Sequence, residues 1–145
     1  MLEEERVRLL VIDDDPELCE MLRLICDQHP AVEWLGAASS PEEAVTLSRQ
    51  HLPDAILLDH HFFTADPSQL DATRESRRAV RGLSGLEAVE FLRAVAPDAV
   101  IAVYTGTEGL GESVENSGAD MYLMKGRDPR ATLDEVAAHV RRRKG

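Results

Sequence analysis

Five short apolar runs punctuate the chain, and amphipathic stretches fill the spaces between them. Leu9-Leu10-Val11-Ile12 and Ala55-Ile56-Leu57-Leu58 each stop at an aspartate, residues 99–104 and 121–124 form two later runs, and residues 32–38, with Trp34 and Leu35, make a mixed one. Unbroken runs of branched apolar side chains predict strands covered on both faces, the habit of a parallel sheet. Between them, Leu18, Met21, Leu22 and Ile25 recur at helical spacing over residues 16–29, Leu86, Val89, Leu92 and Val95 do so before Pro97, and Leu133, Val136, Ala137 and Val140 do so near the end. Helix starts are marked by Asp15-Pro16, Ser40-Pro41 with Glu43, Ser84 with Glu87, and Asp128-Pro129, pairing a capping side chain with a proline at the first helical position or a glutamate that closes a capping box.

Regular alternation of buried strands and amphipathic helices predicts an α/β fold: five parallel strands, right-handed crossovers, helices on both faces. Two stretches depart from the rhythm. Residues 60–83 carry few large apolar side chains after Phe62 and Phe63 and are far longer than the usual βα loop of about 2–6 residues. They read as an insertion between the third strand and the third helix, forming a marginal helix or a mobile flap. The fourth helix, expected over residues 107–117, contains Gly109 and Gly111 and should be the softest of the set.

Composition narrows the choices. At 145 residues the chain suits one domain spanning 1–145. A formal charge of -11 lacks the basic footprint of a nucleic-acid binder, so direct DNA binding is not expected, and the Arg141-Arg142-Arg143-Lys144 cluster reads as a complement to the last helix dipole. No apolar run is long enough to cross a bilayer and no secretory leader is recognisable, which places the expected location in the cytoplasm. Cys19 and Cys26 lie seven apart on one predicted helix, too distant for a disulfide, and read as small core or helix-surface residues.

The chemistry collects at strand ends. Asp13 and Asp14 follow the first strand and Asp59 ends the third. In a parallel sheet these ends share one edge, where ligand sites gather. Converging carboxylates suit a hard, oxygen-seeking ion, of which Mg²⁺ is the prime candidate. Thr105 follows the fourth strand and Lys125 the fifth. His60 and His61 are adjacent, so in an extended strand they point to opposite faces and do not form a transition-metal pair.

An acidic pair, a lone aspartate, a threonine and a lysine, each at its own strand tip in this order, resemble the response-regulator receiver domain of two-component signalling. The resemblance implies a flavodoxin-like sheet of order 2-1-3-4-5, with Asp59 as phosphoacceptor. It further implies Mg²⁺ held by Asp13, Asp14, Asp59 and the backbone carbonyl of His61, and Lys125 as the phosphoryl contact. Thr105 and Tyr122 resemble the family's switch pair, which repacks the face made by the fourth helix, fifth strand and fifth helix. His61 and Thr107 stand where the family's residues that tune hydrolysis stand. The implied partners are a histidine kinase or histidine phosphotransfer protein and a downstream protein met on that face. The protein would act as a stand-alone switch, an enzyme only toward its own phosphorylation and dephosphorylation. Two features depart from the family: Gly126 follows Lys125 where proline, commonly cis, is usual, and the long 60–83 segment, with Arg74, Arg77, Arg78 and Arg81, replaces a short loop. Competing readings are a receiver-like interaction module that no longer switches, and a small haloacid-dehalogenase-like phosphatase using Asp13 and Asp15.

Overall fold

The computed structural model describes residues 6–60 and 85–144. The expected marginal helix or flap, the arginines within it, His61 and the Ser84 cap lie outside the described residues. The chain runs β1 (Val7–Ile12), α1 (Pro16–Asp27), β2 (Val32–Ala38), α2 (Pro41–His51), β3 (Ala55–Asp59), α3 (Gly85–Val95), β4 (Val100–Thr105), α4 (Gly111–Ser117), β5 (Met121–Met124) and α5 (Pro129–Lys144). All neighbouring strands pair in parallel, in the order β2-β1-β3-β4-β5. This is the doubly wound, flavodoxin-like sheet.

Alternation along each strand divides the core. Leu10, Ile12, Ile56, Leu58, Ile101 and Val103 point to one face, where Ala44 of α2, Ala88, Val89, Leu92 and Ala96 at α3, and Val114 of α4 cover them. Leu9, Val11, Leu57, Ala102 and Tyr104 point to the other, under Leu22 and Cys26 of α1 and Leu133, Val136, Ala137 and Val140 of α5. Because helices cover both faces, β1 from Leu9, β3 up to Leu58 and β4 up to Tyr104 are buried throughout, each buried Leu or Ile contributing about 1.5–3 kcal/mol. The outermost strand β2 is less buried, and its register with β1 shifts between Leu9 and Leu10, next to Gly36 at φ +155°.

Three helices differ from their predicted form. The first ends at Asp27, short of residue 29, and buries Leu22 and Cys26 while Met21 stays 38 % exposed, because the inward stripe follows the i, i+4 pair. On α3, Val89 and Leu92 are buried as expected, but alanines 88 and 96 complete the stripe and Val95 is half-buried. The fourth helix begins only at Gly111. Gly109 takes φ +81°, which breaks the helical path, and Leu110 at the cap position makes no side-chain bond to the first turn. The basic end of α5 is engaged within the protein: Lys144 bonds Asp54 at 3.0 Å, and Arg143 reaches Asp120 at 3.4 Å. Among the described residues no helix is long and apolar enough to cross a membrane.

Candidate functional site

Parallel pairing in register brings the C-terminal tips of β1, β3, β4 and β5 to one edge. Each apolar strand ends where its chain leaves the core, so the first polar residue after it lies at the rim of the low-dielectric interior. Asp13, Asp14 and Asp59 each offer a carboxylate oxygen there, all within 4.8 Å of one another. Asp13 and Asp59 are buried, at 3 % and 6 % exposure, while Asp14 is open to solvent.

The buried charge on Asp13 is met on both oxygens. Oδ1 accepts the Asp15 N–H at 3.0 Å, and Oδ2 accepts the Lys125 ammonium at 2.8 Å. The same ammonium lies 3.5 Å from Asp59 Oδ1 and 5.7 Å from the centre of the Tyr104 ring. Burial alone would push the Lys125 pKa down, but the hydrogen bond and charge of Asp13, with the charge of Asp59, hold it above the ordinary lysine value. Lys125 thus brings a positive charge in among Asp13, Asp14 and Asp59. The all-oxygen donor set of these carboxylates matches Mg²⁺, which prefers carboxylates and retained water. The residues present therefore fit the ion the sequence implied. The fourth expected ligand, the His61 carbonyl, lies outside the described residues.

Thr105 is fully buried, and its Oγ1 accepts the Thr107 N–H at 3.1 Å. From the neighbouring strand β5, the half-buried Tyr122 donates its hydroxyl to the Thr107 carbonyl at 2.6 Å. The two expected switch residues thus do not touch through those bonds. They grip opposite ends of one residue, Thr107, at the mouth of the site.

Asp15 caps α1, its Oδ1 accepting the N–H groups of Glu17 and Leu18 at 3.1 and 3.3 Å. The carboxylates that converge with Asp13 are those of Asp14 and Asp59. Cys19 and Tyr104 border the site without having been singled out in the sequence. The Cys19 thiol lies 3.6 Å from the Asp13 carbonyl, and burial, then the charges of Asp13 and Asp15, push it up to about 11, so it is a thiol at neutral pH. Tyr104, paired in register with Asp59, was legible only as a strand residue. A cleft of about 400 Å³ lies beside the acids, lined in part by Asp13, Asp14, Cys19, Arg23 and Trp34.

A doubly wound α/β domain with an acid cluster and a lysine at the strand-end edge is the class these features define. No family model matches the chain. Among known proteins it is 26 % identical over 135 residues to a nitrate/nitrite response regulator protein homolog of Haemophilus influenzae, across 92 % of this chain and 56 % of that protein. It is 31 % identical over 140 residues to the DNA-binding response regulator MtrA of Mycolicibacterium smegmatis, across 94 % and 52 %. The chain thus spans about half the length of these curated relatives. Its fold matches the crystal structure of a CheY-like response regulator receiver domain protein from Methanospirillum hungatei, with TM-score 0.70, 22 % identity and coverage of 97 % of this chain and 98 % of the other. The chain thus has the fold of CheY-like receiver domains, and its sequence relatives are response regulators.

Proposed function

We propose that this chain is the phosphoacceptor switch of a two-component phosphorelay. A carboxylate oxygen of Asp59 attacks the phosphorus of a phosphohistidine on a histidine kinase or phosphotransfer protein. The new O–P bond replaces the N–P bond, whose electrons return to the imidazole, which then takes a proton. Lys125, already between Asp13 and Asp59, meets the negative charge that arrives with the phosphoryl group. Asp13, Asp14 and Asp59 would hold Mg²⁺, which when bound neutralises charge on the phosphoryl oxygens. Thr105 offers a hydroxyl to the new group, and giving up the Thr107 N–H frees one end of the loop that Tyr122 holds by the other. The consequence is a changed face of α4, β5 and α5 for a downstream protein.

The observation that carries this reading is the placement of Lys125 within ion-pair distance of both Asp13 and Asp59 in a buried acid cluster. In this reading the protein catalyses only its own phosphorylation and dephosphorylation, in the cytoplasm. It does not touch DNA itself, which the charge of -11 and the internal pairing of Arg143 and Lys144 support. Intact mass after incubation with Mg²⁺ and acetyl phosphate tests the proposal. One added phosphoryl group that needs Mg²⁺ and is lost in Asp59→Asn is the expected result. No phosphoryl gain together with no Mg²⁺ binding would instead point to an interaction module that no longer switches.

A further inference from the structure

We propose that Gly126 is a positioning residue for Lys125: its left-handed backbone turns the chain at the end of β5 so that the ammonium lands between Asp13 and Asp59. The inference rests on the phosphoacceptor reading and adds to it the element that aims the lysine.

Lys125 is fixed at both ends. Its backbone N–H donates to the Thr105 carbonyl at 2.8 Å, extending the β4–β5 ladder by one step, and its Nζ donates to Asp13 at 2.8 Å. The chain must then reverse at once, because Asp128 already caps α5, accepting the Arg130 N–H at 3.0 Å. Gly126 and Arg127 alone make that reversal, and Gly126 does so at φ +94°, a region that disfavours residues with a β-carbon. Space is not the reason for the glycine, since a β-carbon built there meets nothing within 4 Å. Packing does not hold the turn either, for Gly126 and Arg127 are both exposed. Conformation alone is left. With Lys125 tied to Thr105 and Asp128 tied to the start of α5, the positive φ at Gly126 lets the chain join these two fixed points without pulling Lys125 from its place.

A β-carbon at position 126 then drives φ out of the left-handed region and swings the adjoining lysine away from the carboxylates. Residues should rank by their tolerance of positive φ: glycine, then asparagine, then alanine, with valine last. The chain offers a direct readout, because Lys125 and Lys144 are its two lysines. Lysine-selective carbon-13 labelling gives a signal for each, and the signal of Lys125, whose Nζ lies 5.7 Å from the centre of the Tyr104 ring, reports its aim without any reaction.

The experiment compares the natural chain with Gly126→Asn, Gly126→Ala and Gly126→Val. Mg²⁺-dependent phosphoryl uptake from acetyl phosphate and the two lysine signals are measured in each. Uptake should slow by about tenfold in the alanine variant, less in asparagine and more in valine, following the energy of the left-handed region. The Lys125 signal should move in the same order while Lys144 stays in place. On a Lys125→Met background the same substitutions should add nothing to the loss, because Gly126 acts through the lysine. An unmoved Lys125 signal, or losses that simply add to that of Lys125→Met, overturns the inference while leaving the phosphoacceptor reading intact. A natural chain that takes up no phosphoryl group overturns that reading, and the inference with it.

Discussion

Asp13 shows how a charge is kept at the rim of a core. It is 3 % exposed, and its two oxygens are answered by a backbone N–H and by Lys125. Removing one partner of a buried pair costs more than the pair contributes, because the other charge stays behind. Lys125→Met should therefore destabilise the Mg²⁺-free protein by about 1–3 kcal/mol, moderated by the partly open lysine. Urea unfolding with and without Mg²⁺ checks this, and the loss should shrink when the ion is present, since it then offsets the same carboxylates. An equal loss in both buffers would mean that Lys125 matters for packing alone. Asp13, Asp14, Asp59, Thr105 and Lys125 were legible in the sequence because each directly follows or ends an apolar run, and strand ends in a parallel sheet share an edge. Cys19 and Tyr104 were not, because their nearness to the site depends on which helix face and which register the folded chain adopts. The joint hold of Thr105 and Tyr122 on Thr107 was equally hidden, being made by backbone atoms that carry no sequence signal.

Elements are tied at the opposite end of the sheet by Asp120, which follows α4 and precedes β5. Its Oδ2 accepts from the Ile101 N–H at 2.9 Å and from Arg93 of α3 at 2.8 Å, with Arg143 of α5 at 3.4 Å. Burial pushes this carboxyl's pKa up, but Arg93, the Ile101 N–H and Arg143 outweigh it and hold the pKa below the ordinary 3.8. A depressed folded-state pKa contributes stability that is complete above 3.8 and is lost as pH falls through the lower folded value. Asp120→Ala, which also strips the Ile101 N–H of its acceptor, should cost about 2–3 kcal/mol at pH 7. It should also flatten the fall in stability below pH 4, as a pH series of unfolding midpoints would show. The same scale governs α4, which spans seven residues and has no side-chain N-cap. The glycines at 109 and 111 already predict a soft helix from sequence, but its late start was not legible, because the φ of +81° at Gly109 depends on how the loop leaves β4. Gly111 is helical, and a β-carbon there meets nothing within 4 Å, so Gly111→Ala should stabilise by about 0.4–1 kcal/mol. Hydrogen exchange should show α4 as the fastest-exchanging helix of the natural chain and slower in the variant.

At the scale of the whole molecule, a formal charge of -11 means that any cation relieves some repulsion, so binding at one site must be separated from general screening. The two differ in form. A single site that binds the folded state alone stabilises by RT ln(1 + [L]/Kd), about 2.7 kcal/mol at a hundred times Kd, and keeps rising with the logarithm of concentration. Screening follows ionic strength and is indifferent to which salt supplies it. Because Asp13, Asp14 and Asp59 converge within 4.8 Å of one another, Mg²⁺ should raise the unfolding midpoint well beyond NaCl of equal ionic strength. Asp14 separates the terms further, for it is the exposed member of the cluster and supports no described strand packing. Asp14→Asn should leave the midpoint in NaCl nearly unchanged while removing most of the Mg²⁺ increment. Trp34, the chain's only tryptophan, shares the cleft with Asp13 and Asp14, so its fluorescence should follow the same titration and give a Kd that agrees with the thermal shift. Identical midpoints in Mg²⁺ and matched NaCl, with Trp34 silent, would show that the three acids do not form a divalent-cation site.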